Sequence, residues 1–247
     1  MIAGGASRQL SRYVAIGDSV SIDLYPQLDL SARGDSPPSD GVGAASLLHS
    51  NIDSLWPEFT GQDLSSARHG IEYVNLCADG TVTGDVLDLQ LPSLPTDDGD
   101  ATLVTLTVGG NDLLSLIGRR YDEGVAELQR IIDRTREIVR EVRSWYRDLT
   151  LVLATVYDPS DGAAHLGDGI IMRREWEWLG VYNEAVRRMA TATGCLLAEV
   201  HDHFFGHGLS ERDPSLRWYW SKSIIEPSAQ GASEVRRLWL RCLDMEP

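Results

Sequence analysis

The sequence predicts an α/β protein built on a mostly parallel sheet of about five strands with helices packed against it. Two observations carry the prediction. Short β-branched apolar runs recur between longer amphipathic stretches, the pattern of alternating strands and helices. The chain of 247 residues, 43% hydrophobic and 24% charged, is also long enough to bury a large core without disulfide or metal staples. The strand candidates are 13–16, 71–76, 101–108, 149–157 and 195–200. A long helix over 123–145 sets Val125, Leu128, Ile131, Ile132, Ile138, Val139 and Val142 on one face and charge on the other. A second helix covers 176–193 and stops at Gly194, and a last one runs over 228–243 after Pro227. Stretches 31–43, 92–100 and 158–169 are rich in turn residues and read as surface excursions. With no repeat, low-complexity tract or shift in composition, residues 1–247 read as one domain.

Charge narrows the range of partners. The 37 acidic and 22 basic residues leave a net charge of −15, which repels phosphate backbones and anionic lipid, so neither nucleic acid nor a membrane is an expected partner. Cys77, Cys195 and Cys242 are odd in number and lack CxxC spacing, which argues against a disulfide framework or a zinc knuckle and for reduced thiols. Residues 1–12 have no apolar core of signal-peptide length, and no later apolar run reaches the length of a membrane span. A cytoplasmic location is the expectation.

Three segments carry chemistry. Tyr13 to Ile16 is an apolar strand running into Gly17-Asp18-Ser19, which sets Ser19 at a carboxyl strand end, where open α/β sheets bind ligands. A Ser there equally fits a helix cap. The GxSxG elbow is absent, because Ser21 stands where its second Gly would be. The second segment runs from Val74 to Thr81 and brings Gly80, whose N–H a ligand can approach closely. The third, Thr107-Val108-Gly109-Gly110-Asn111-Asp112, ends a strand on an amide donor. Each alone is a strand ending in a turn. Together they supply a hydroxyl, a backbone donor and a side-chain amide, the parts needed to attack a carbonyl and hold the resulting oxyanion.

In order and approximate spacing, Gly17-Asp18-Ser19, Gly80 and Gly109-Gly110-Asn111-Asp112 resemble the first three blocks of the SGNH (GDSL) hydrolases. Tyr182-Asn183 with Ala185-Val186-Arg187 is similar to that family's helix before the last strand. The resemblance implies a three-layer α/β/α sandwich with a flavodoxin-like sheet, and cleavage of a small-molecule carboxylic ester through an acyl-enzyme on Ser19. It further implies an oxyanion hole from the N–H groups of Ser19 and Gly80 and the side chain of Asn111, with no cofactor and no metal.

The last block departs from the family. Ser223 stands where an Asp is usual and Glu226 where a His is usual, so both the base and its orienting carboxylate are replaced. His207, between Gly206 and Gly208, is free to turn toward Ser19 with Glu226 orienting its imidazole. Glu226 acting directly as base and a catalytically silent site are the other two readings, and His203 reaches the site if the strand ends early. Glu226 before Pro227 also suits the amino end of the last helix. His201 and His203 flank Asp202 as metal ligands would, but no further His or Cys is spaced to complete a set. Trp218-Tyr219-Trp220 reads as core or as the wall of an apolar pocket, and Asp158 to Gly162 borders the site and could carry His165 toward it. The rivals to an esterase are a silent module binding an acylated or anionic ligand, and a flavodoxin-like nucleotide-binding domain, which lacks a GxGxxG fingerprint here.

Overall fold

A computed structural model describes residues 10–35, 41–166, 170–171 and 173–245. Residues 1–9, and parts of two of the turn-rich stretches (36–40 and 167–169), lie outside the described residues. All five expected strands form: β1 (Arg12–Gly17), β2 (Glu72–Asn75), β3 (Thr102–Thr107), β4 (Leu149–Ala154) and β5 (Leu196–Ala198). They pair in parallel in the order β2-β1-β3-β4-β5. This is the flavodoxin-like order, whose switch point between β1 and β3 opens a crevice at the carboxyl edge.

The helices that matter for the site are α1 (Leu24–Arg33), α2 (Ala44–His49), α3 (Gly110–Leu114), α4 (Tyr121–Trp145), α5 (Arg173–Thr193), α6 (Val200–Phe204) and α7 (Ala229–Cys242). Strand side chains alternate faces, and each face has its own core. Tyr13, Leu103 and Val152 pack with Leu48 of α2 and Trp239 of α7. Val14, Val104 and Leu151 pack with Ile131 and Val142 of α4 and with Tyr182 of α5. The result is a three-layer α/β/α sandwich. Of the stripe expected on α4, Val125 is exposed, while the other six residues are buried.

The sheet edge is fixed from both sides. The Tyr182 hydroxyl donates to the Val108 carbonyl at 3.0 Å, and the Asn183 amide pairs with both backbone groups of Val156, each at 2.8 Å. Thus the Tyr182-Asn183 pair holds the ends of β3 and β4. Glu226 does not cap α7; Ser228 does, accepting from the Gly231 N–H at 3.1 Å.

Candidate active site

The end of β1 is held so that Ser19 leaves the sheet at a fixed place. A Cβ at Gly17 would fall 1.8 Å from the Thr107 carbonyl oxygen, and φ there is +130°, so only Gly lets the two strands approach this closely. Gln90 grips the same residue, its Oε1 accepting from the Gly17 N–H at 2.7 Å and its Nε2 donating to the Gly17 carbonyl at 2.8 Å. The Asp18 N–H then donates to the Thr107 carbonyl at 2.8 Å, and its carboxylate accepts from the Val20 N–H, starting the turn whose first residue is Ser19. Burial raises the Asp18 pKa to about 7, with the charges of Glu226 and Asp112 pushing the same way against its hydrogen bonds.

The loop after β2 lies beside this turn. Gly80 has φ +71° and open space around its α-carbon, and it sits at the exposed rim of the loop. Among the described residues, neither the Gly80 nor the Ser19 N–H makes a hydrogen bond. The loop is clamped from α3: Asn111 Nδ2 donates to the Thr81 carbonyl at 3.0 Å, and the Asp112 carboxylate accepts from Thr83 N–H and Oγ1 at 2.8 and 2.6 Å. Arg134 reaches the same Thr83 hydroxyl at 2.7 Å. An amide nitrogen carries two protons, so Asn111 keeps one to offer a ligand while holding the loop with the other. Ser19 and Asn111 both line one half-open, mainly apolar cavity of about 110 Å³.

Glu226 enters the cavity from the loop before α7. Tyr219 bridges to Pro227, the Trp220 N–H donates to the Glu226 carbonyl at 2.8 Å, and the Tyr157 hydroxyl donates to the Ile225 carbonyl. Glu226 lines the cavity together with Ser19. Burial raises the Glu226 pKa, the Ser19 hydroxyl lowers it, and the charge of Asp79 raises it again, leaving it above the ordinary carboxylate value. Glu226 Oε2 is buried without a hydrogen-bond partner.

No imidazole stands among the described residues lining this cavity. The turn of His207 toward Ser19 does not form, which corrects the expectation drawn from its flanking glycines. Asp161 takes the N–H groups of Gly206 and Gly208, both at 3.0 Å, and the His207 ring stacks on Trp218 at 3.6 Å with Nδ1 donating to the Leu216 carbonyl. His203 pairs with Glu234 at 2.9 Å and His201 with Asp202 at 2.9 Å, while His165 is exposed. The aromatic triplet divides its work. Tyr219 is core against Tyr157 and Phe204, Trp218 carries His207, and Trp220 lies against Tyr25, whose hydroxyl donates to Asp79 at 3.0 Å. Asp158 does border the cavity, accepting from Trp176 Nε1 at 2.9 Å.

Residues 32–233 match the model of the GDSL-like lipase/acylhydrolase family. The chain belongs to that family. The matched span begins after Ser19, so within this GDSL-like chain the place of Ser19 rests on the geometry above. No curated protein sequence matches it significantly. Solved structures share its fold: a variant of Axe2, an acetyl xylan esterase from Geobacillus stearothermophilus, superposes with a TM-score of 0.62 at 16% identity, covering 97% of this chain and 98% of that one. LAE5, described as an alpha/beta hydrolase enzyme from the metagenome of Lake Arreo, Spain, gives 0.60 at 20% identity, covering 96% of both chains. An extracellular lipase from Streptomyces rimosus gives 0.57 at 19% identity, covering 96% and 100%.

Proposed function

We propose that this GDSL-family chain is a serine esterase that cleaves carboxylic esters of small molecules, with Ser19 as nucleophile and Glu226, not a histidine, as general base. The observation that carries the reading is that Ser19 and Glu226 line one cavity, near enough for the hydroxyl to act on the carboxylate, with no imidazole among its described lining residues. As the Ser19 oxygen attacks the ester carbon, its proton passes to Glu226. The oxyanion is held by the N–H groups of Ser19 and Gly80 and the remaining Asn111 proton. When the C–O bond to the alcohol breaks, Glu226 returns that proton to the leaving oxygen. Water then enters, gives a proton to Glu226 and attacks the acyl carbon, and Ser19 recovers a proton as the acid departs. A pKa held above the ordinary carboxylate value makes Glu226 a stronger base, and an unpartnered Oε2 leaves it an oxygen with which to accept. Neither metal nor cofactor is needed for these steps.

The absence of an imidazole beside Ser19 also favours a second reading, a pocket that binds an acylated or anionic ligand without turnover. A fluorophosphonate separates the two, since only an activated Ser is phosphonylated. Stoichiometric labelling lost in Ser19→Ala is the expected result, and an unlabelled wild-type protein would establish the silent module. Asn111→Ala should lower kcat by about 10²–10³ with KM little changed, as removal of one oxyanion donor does elsewhere. A pure KM effect would remove Asn111 from the oxyanion hole. We further read residues 1–247 as one domain, expected to unfold in a single urea transition, and place it in a cytoplasm, where its three free thiols would stay reduced; fractionation of source cells checks the latter.

A further inference from the structure

We propose that the apolar side of the cavity is an acyl subsite, and that the substrates are esters of uncharged acids with a hydrocarbon chain clearly longer than acetyl. The proposal rests on the esterase reading and names its substrate class. Direction comes first. The leaving oxygen must receive its proton from Glu226, so the alcohol half lies on the side of that carboxylate, near the partly open group of Tyr25, Asp79 and Trp220. Glu226 arrives from the α7 layer of the sandwich. On the opposite layer the lining is apolar, made of Leu113, Leu114 and Ile117, which follow Asn111, with Trp176 and Leu179 of α5, while Tyr157 and Val200 line the cavity from the α7 side. Ser19 sits between these two flanks of the sheet edge, so the acyl carbon chain leads toward the wall.

Size is the second argument. The wall runs along α3 from Gly110 to Leu114, about 6 Å at the helical rise per residue, and goes on through the following turn to Ile117. An acetyl methyl would touch only its beginning. Trp176 is fixed by its hydrogen bond to Asp158 yet remains 42% exposed, so the wall includes an aromatic ring that reaches the surface. Charge is the third. Asp18, Asp158 and Glu226 line the cavity, and no Lys, Arg or His does so among the described residues. A second carboxylate on the acid half would meet these groups with no cation to pair it.

The test uses p-nitrophenyl acetate, butyrate, hexanoate and octanoate, with the p-nitrophenyl monoester of succinic acid as the charged counterpart of butyrate. Each methylene buried from water adds favourable binding, so kcat/KM for hexanoate should exceed that for acetate by roughly ten-fold or more. The succinate monoester should fall below butyrate by a comparable factor. Ile117→Trp, at a half-buried position, should cut the hexanoate-to-acetate ratio at least about ten-fold by filling the wall, and Trp176→Ala should raise the octanoate-to-hexanoate ratio by opening it at the surface. The ratios are internal to each variant and do not depend on how much protein folds. Preference for acetate, or succinate cleaved as well as butyrate, overturns the acyl subsite while the esterase reading stands. A wild-type preference for hexanoate that neither variant moves overturns the wall assigned to it. Failure to cleave any ester, with no fluorophosphonate label, overturns both.

Discussion

Ser19→Ala should lose hydrolysis of p-nitrophenyl hexanoate by at least about 10⁴-fold and lose fluorophosphonate labelling altogether. The proposed oxyanion site and apolar wall do not depend on the hydroxyl, so a slow residual rate above that in water should remain. Folding should hardly change. The backbone that places residue 19 is fixed by Gly17, Asp18 and Gln90 and does not depend on the Ser19 hydroxyl. The variant should therefore unfold at nearly the same urea midpoint as wild type, within about 1 kcal/mol. A Ser19→Ala protein that turns over at the wild-type rate would transfer the chemistry to another group.

The sheet and the nucleophile block were legible because their signals are local. β1 shows Tyr13 to Ile16 as an apolar run ended by a Gly, and the steric demand at Gly17 is written in that one residue type. Gly109-Gly110-Asn111-Asp112 likewise lies on one strand end, and its Asn and Asp both turned out to clamp the Gly80 loop. What escaped depends on distant pairs. Gln90 joins the β1 end across 73 positions of sequence, and nothing in its surroundings distinguishes it from a surface Gln. The acyl wall joins α3 to α5, whose Trp176 and Leu179 read only as members of an amphipathic helix. His207 was misplaced for a related reason. Flanking glycines indicate freedom of the backbone, but the partners that remove it, Asp161 and Trp218, come from separate loops. The replacement of His by Glu at position 226 was visible, whereas the absence of an imidazole from the described lining of the cavity depends on loops far apart in sequence.

Glu226→Gln is the variant that decides that choice. A Gln keeps the size of the side chain and still accepts the Ser19 hydroxyl proton in a hydrogen bond, but it cannot take the proton away. General-base catalysis contributes about 10²–10⁴-fold, so kcat should fall by a factor in that range with KM nearly unchanged. In wild type the base works only when ionised. Because burial and Asp79 hold its pKa above the ordinary value, activity should be full at high pH and fall on acidification at a higher pH than a free Glu would allow, which is about 4.3. Asp79 raises the Glu226 pKa, and the charge of Glu226 in turn raises those of Asp18, to about 7, and of the Tyr25 and Tyr157 hydroxyls. The charge of Glu226 raises the Asp18 pKa while Asp18 does not act on Glu226, so Asp18→Asn should leave the acidic limb where it is. In Glu226→Gln the limb should disappear. His207→Ala supplies the counter-test, since the stacked ring takes no part in this scheme and its loss should leave the pH profile of kcat/KM in place. If instead His207→Ala is as inactive as Ser19→Ala while Glu226→Gln keeps both its rate and its acidic limb, the imidazole is the base and the loop carrying it must swing from Trp218 to Ser19 during turnover.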